Sequence, residues 1–196
     1  MNTFVVAFAG HSGAGKSTLI EKLSSLTGNA KILRIDDYDT SSFPPSIKWM
    51  EDGADPNEFQ TPQFFSDILT LKNGICILQP ETNKEIEPAG FLFIEEPFGR
   101  SREAINELID FSVYIDVPLE IALARRLLRM SNLISQGNSD VTIEEHLRWY
   151  LRAGRNFYIA VERNARKQCD LIVDGMLSTD EIAEIVFKTI STKLQN

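Results

Sequence analysis

Six consecutive apolar residues, Phe4-Val5-Val6-Ala7-Phe8-Ala9, stand near the start of the chain. A run of strand formers with no polar alternation predicts a strand covered on both faces, as in a parallel sheet. After the glycine-rich residues 10–15, Leu19, Ile20, Leu23 and Leu26 fall at helical spacing, so Lys16 to about Leu26 predicts a helix that Gly28 stops. Lys31–Ile35 then predicts a short second strand, ending at the acidic cluster Asp36, Asp37 and Asp39. Pro44, Pro45, Gly53 and Pro56 break any long element over residues 40–58. A helix follows from Pro62 to about Leu71, a short strand over Ile75–Leu78, a hairpin or exposed loop over Glu81–Pro88, and a third apolar strand over Phe91–Ile94.

The second half repeats the alternation. Ser101–Ile109 predicts a helix, Phe111–Val117 a strand ended by Pro118, and Leu119 to about Leu133 a helix. Ser135–Asp140 reads as a polar loop, Thr142 to about Lys167 as mostly helix, Leu171–Val173 as the last strand and Asp180–Leu194 as the closing helix. Strands alternating with helices imply the α/β class, a parallel sheet covered on both faces. A chain of 196 residues is long enough for one sizeable core, so residues 1–196 are expected to form a single domain with a small mobile appendage.

Composition narrows the partners. A net charge of -8 argues against a nucleic-acid polymer, which needs a basic face, but not against a small anion held by backbone N–H groups. Cys76 and Cys169 lack the spacing of a zinc or redox pair and read as two buried thiols. The apolar run at Phe4–Ala9 is too short for a signal peptide or a membrane helix, and a cytoplasmic protein without a membrane partner is the default expectation. Homo-oligomerisation stays open.

The strongest chemical signal is Gly10-His11-Ser12-Gly13-Ala14-Gly15-Lys16-Ser17, with glycine at the first and sixth places followed by lysine and serine. Between a strand and a helix, this pattern cradles phosphate: glycines turn N–H groups inward and the helix N-terminus faces the anion. Lys16 is expected at the β- and γ-phosphates and Ser17 at Mg²⁺, with Thr18 closing the pattern. His11 is expected to be passive, since backbone does the binding there. Asp36 and Glu95 end strands two and three, where ligands of open parallel sheets lie, with Glu96 as rival to Glu95. Asp37 and Asp39 read as a solvated turn. Arg126 and Arg129 share a helix face, fit to clamp phosphates. Arg148, Arg152 and Arg155 are weaker candidates for the same clamp, their spacing suiting a surface stripe equally well, and Trp49 and Trp149 suit packing.

Taken together, these motifs resemble the uridine kinase-like group of P-loop kinases, which includes nicotinamide riboside kinase and phosphoribulokinase. The likeness covers nearly the whole chain. It rests on Gly10 to Thr18, on Asp36-Asp37-Tyr38, on Glu95 after an apolar strand, and on Tyr114-Ile115-Asp116 followed by Arg125-Arg126-Leu127-Leu128-Arg129. It implies a P-loop three-layer α/β/α fold with a small helical lid around residues 125–145. It also implies transfer of the γ-phosphate of ATP, with Mg²⁺, to a hydroxyl of a small nucleoside-like acceptor. On this likeness Asp36 is the general base that also helps hold the metal, Glu95 lies near the metal, and Arg126 and Arg129 lead into the lid. Where uridine kinases carry aromatic residues and a histidine that grip the pyrimidine, this chain has Gln79-Pro80-Glu81-Thr82-Asn83. Residues 133–140 lack the further arginines of the family's lid. A regulatory nucleotide-binding switch is the rival expectation, though the chain has no Asn-Lys-x-Asp.

Overall fold

The computed structural model describes residues 3–80, 83–138 and 141–195. In chain order the elements are β1 (Phe4–Ala9), α1 (Lys16–Thr27), β2 (Ala30–Arg34), α2 (Ser46–Glu51), α3 (Pro62–Lys72), β3 (Ile77–Leu78), β4 (Glu85–Ile86), β5 (Phe91–Glu95), α4 (Glu103–Asn106), β6 (Phe111–Asp116), α5 (Leu119–Ser135), α6 (Ile143–Trp149), α7 (Arg155–Arg166), β7 (Leu171–Asp174) and α8 (Thr179–Gln195). β2, β5, β1, β6 and β7 form, in that order, a wholly parallel sheet. β3 and β4 form a separate antiparallel hairpin.

The two-residue period of the strands sorts side chains into two cores. Val6, Phe8, Phe93 and Val113 face α1 and α8, packing with Leu19, Ile20, Leu23, Ala183 and Val186. Val5, Ala7, Leu92 and Ile94 face α3 and α4, packing with Phe64, Ile68, Leu71 and Ile105. Helices on both faces of the sheet make the three-layer α/β/α arrangement. β1 lies between β5 and β6, and the loop that follows it opens at the carboxyl edge where the strand order reverses, the usual ligand position in such sheets.

Several sequence expectations need correction. The helix expected over Ser101–Ile109 contracts to Glu103–Asn106, with a 3-10 turn over Gly99–Ser101. The stretch over residues 40–58 contains the short helix α2, whose Trp49 is wholly buried. The long helix after Thr142 widens into π geometry over Tyr150–Gly154, where a Cβ on Gly154 would come within 2.5 Å of the Trp149 ring. Cys76 is exposed and Cys169 half-buried, so the thiols are not both interior. The hairpin expected over Glu81–Pro88 is formed by β4 with β3, while Glu81 and Thr82, like Ser139 and Asp140 of the polar loop, lie outside the described residues.

Candidate active site

The glycines of the phosphate loop have the backbone their role requires: φ is +135° at Gly10, +89° at Gly13 and +97° at Gly15. Gly10 and Ala14 lie at the back of the loop. A Cβ on Gly10 would stand 3.1 Å from the Ile115 carbonyl, and Ala14 is buried in the core facing α1. The other loop residues, His11, Ser12, Gly13, Gly15, Lys16, Ser17 and Thr18, line a cleft of about 580 Å³. His11 is buried and its Nε2 lies 3.1 Å from the Val117 carbonyl oxygen. Burial, with Lys16 and Arg126 nearby, holds its pKa below the usual value, so the ring is a neutral strut.

Lys16 donates to the Gly10 carbonyl at 2.8 Å and lies 3.5 Å from Glu95 Oε1. Burial pushes the ammonium's pKa down, while Glu95 and then Asp36 oppose that shift. Ser17 Oγ donates to Glu95 Oε2 at 2.9 Å. Glu95 therefore bridges the lysine and the serine of the loop. Glu96 points to the opposite face and is fully buried in an ion pair with Arg102, whose guanidinium also donates to Thr61 Oγ1 at 2.8 Å. The strand period explains the division: Glu95 shares the α1 face with Phe93, and Glu96 shares the α3 face with Ile94.

Asp36 lies just past β2 in a 3-10 turn, exposed to the cleft. Partial burial by the surrounding walls raises its pKa, and the charge of Glu95 adds to the effect. Its neighbours face elsewhere. Asp37 accepts from Gln79 Nε2 at 3.0 Å, and Asp39 accepts from the Ser41 N–H at 2.8 Å in an exposed turn. Tyr38 turns into the core and donates to Asp67 at 2.8 Å.

From α5, Arg126 donates to the Ser12 carbonyl, and Arg129 reaches Ser12 Oγ at 3.4 Å. Arg126 is 4% exposed, with its guanidinium carbon 4.2 Å from the Tyr158 ring centroid and 5.5 Å from that of Tyr150. Its Nε and Nη2 are buried without a hydrogen-bond partner among the described residues. Arg125 also lines the cleft and donates to the Gly175 carbonyl at 3.2 Å. Arg148 pairs with Glu144 on the surface, and Arg152 and Arg155 are exposed, as a solvated stripe requires.

A family model for the Phosphoribulokinase / Uridine kinase family matches residues 51–182. The chain belongs to this family. The matched stretch begins after the phosphate loop, so membership rests on residues other than the glycines. A uridine kinase of Borrelia duttonii (strain Ly) is 27% identical over 98% of this chain and 96% of its own length. A uridine kinase of Chlamydia pneumoniae is 24% identical over 100% of this chain and 92% of its own length. A phosphoribulokinase of Synechocystis is 29% identical over 64% of this chain and 41% of its own length. Among solved structures, shikimate kinase from Aquifex aeolicus aligns with a TM-score of 0.50 at 17% identity, covering 98% of this chain and 99% of that one. A possible uridine kinase from Bacillus stearothermophilus aligns with a TM-score of 0.50 at 18% identity, covering 89% and 90%. These structures agree with the P-loop kinase fold, and the family makes the chain a P-loop kinase of small molecules.

Within the Phosphoribulokinase / Uridine kinase frame, the cleft brings together Lys16, Ser17, Asp36, Glu95, Arg126 and Arg129. Sequence reasoning missed the other half of its lining: Phe43, Phe59, Phe98, Phe157 and Tyr158. The only available signal was the phenylalanine count of 12, which carries no position. It also missed the Glu96–Arg102 pair. Among the described residues no helix is long and apolar enough to cross a membrane.

Proposed function

We propose that this kinase transfers the γ-phosphate of Mg·ATP to a hydroxyl of a small molecule, with nucleoside-like alcohols the first acceptors to test. One observation carries the reading: the phosphate loop, the Ser17–Glu95 pair and Asp36 open onto one cleft whose remainder is lined by apolar side chains. The donor set suits magnesium, since a serine hydroxyl and one or two carboxylates are hard oxygen ligands and this ion takes its other ligands from phosphates and water. Among the described residues no three His, Cys, Asp or Glu side chains converge on a metal, in keeping with that division. Bound there, magnesium supplies charge neutralisation at the transferring phosphate.

In this reading Ser17 and Asp36 hold the metal, with Glu95 accepting from the serine hydroxyl. Asp36, at the mouth of the cleft beside the loop, also takes the proton of the acceptor hydroxyl. Lys16, Arg126 and Arg129 hold the phosphate oxygens as charge moves during transfer. The end of α5 serves as a small lid: residues 131–138 are all exposed, and closing it over the loop excludes water that would otherwise be phosphorylated. The test is transfer of label from radioactive ATP to a panel of nucleosides, ribosides and vitamins. Labelling of an acceptor is expected; ATP binding without labelling of any acceptor, or hydrolysis alone, sinks the proposal.

A further inference from the structure

The half of the cleft away from the phosphate loop is a wall of rings. Phe43, Phe59, Pro97, Phe98, Phe157 and Val161 line it. Phe59 stands at its centre, with ring centroids 4.9 Å from Phe43, 4.9 Å from Phe98 and 6.3 Å from Phe157. Behind them the buried Trp49 packs at 5.1 Å on Phe59, 5.8 Å on Phe98 and 5.3 Å on Phe157. Rings held edge to face or tilted against one another in this way form a preorganised surface, and the half-buried Phe43 and Phe157 leave part of their faces for a ligand.

Behind this wall the polar groups pair with one another, except the buried Arg102 Nε, which has no partner among the described residues. The Phe59 carbonyl accepts from Arg102, the Phe98 N–H donates to Glu96 Oε1 at 3.2 Å, and Arg102 is neutralised by Glu96. The lysine and arginines that line the cleft, Lys16, Arg125, Arg126 and Arg129, all stand on the loop and α5 side. A phosphate on the acceptor would be pressed against phenyl rings without a counter-charge. Each carbonyl or N–H on a heterocycle's edge would lose its water and gain no partner, weakening binding about tenfold or more per group.

We propose that the acceptor is an uncharged alcohol whose non-reacting end is an aromatic ring sparse in polar substituents, seated on the wall formed by Phe43, Phe59, Phe98 and Phe157. This sets aromatic alcohols in place of nucleoside-like ones and rests on the kinase reading for the role of the hydroxyl, but its binding arm needs no turnover. The experiment titrates the full chain, with magnesium and a non-hydrolysable ATP analogue present, with benzyl alcohol, 2-naphthalenemethanol, uridine and ribose 5-phosphate, and then repeats the panel with radiolabelled ATP. The aromatic alcohols are expected to bind most tightly. Phe157→Ala and Phe43→Leu should weaken them about tenfold and leave affinity for the ATP analogue within about twofold, which also reports that each variant is folded. Tighter binding of uridine or ribose 5-phosphate overturns the inference, as does no binding by any of the four, or unchanged affinity in both variants. Binding of the aromatic alcohols without labelling supports the inference and counts against the kinase reading alone.

Discussion

Gly13→Ala tests whether the phosphate loop is braced against the helix that carries the arginines. Gly13 has φ of +89°, and a Cβ there would stand 2.4 Å from the Ala122 carbonyl oxygen, about 1 Å inside ordinary van der Waals contact. Left-handed backbone costs a non-glycine residue about 1–2 kcal/mol. Overpacking against the fixed first turn of α5 adds about 1–3 kcal/mol, for a total of about 2–5 kcal/mol. For a chain of this size each kcal/mol lowers Tm by about 2–4 °C, so the drop is about 4–20 °C. Gly137→Ala is the control: φ is +72° with nothing within 4 Å, so only the strain applies and the drop is about 2–8 °C. Thermal unfolding checks both variants. With an ATP analogue at a hundred times its Kd the parent chain gains about 2.7 kcal/mol, or about 5–11 °C, and Gly13→Ala should lose most of that gain because its loop must leave its seat. A Gly13→Ala drop no larger than that of Gly137→Ala, with the analogue's effect intact, refutes the bracing argument.

Other substitutions separate chemistry from structure. Asp36→Asn should lower kcat about 10²-fold or more while ATP binding persists. Because folding raises the Asp36 pKa, its ionised form destabilises the fold above the unfolded pKa, so the asparagine variant should match or exceed the parent in Tm near neutral pH. In the parent, the acid limb of the kcat/KM profile should lie above the usual aspartate range, and the variant's residual activity should lack that limb. Glu96→Ala leaves Arg102 buried and unpaired and should cost about 3–5 kcal/mol in denaturant unfolding, whereas Glu96→Leu with Arg102→Met should recover most of it. Arg126→Lys cannot span Ser12 and the two tyrosine rings with a point charge, and should lower kcat/KM about tenfold or more in steady-state assays. Arg148→Ala, which removes only an exposed pair with Glu144, should change stability by less than about 0.5 kcal/mol in denaturant unfolding.

What was legible in the sequence depended on how far apart the deciding residues lie. The loop from Gly10 to Ser17 and the flanking β1 and α1 are local: strand pattern, glycine spacing and helix period sit side by side, and the structure reproduces them. The ring wall is not local, because Phe43, Phe98 and Phe157 meet only after β2, β5 and α7 have packed, and no short window encodes that meeting. Likewise Arg126 and Arg129 could be placed on one helix face by counting, but the burial of Arg126 against Tyr158 follows from the docking of α7. The carboxylate pair lies between these cases. Sequence reasoning put Glu95 and Glu96 at a strand end and left the two as rivals for one position. The answer follows from insertion of β5 between β1 and β2, which sets Glu95 opposite both Phe8 and Arg34. Phe8 already faces α1, so strand periodicity sends Glu95 toward Ser17 and Glu96 toward Arg102. A one-residue slip in β5 would exchange them, placing Glu96 beside the phosphate loop and burying Glu95 against α3. Sheet register therefore decides which acid serves the loop.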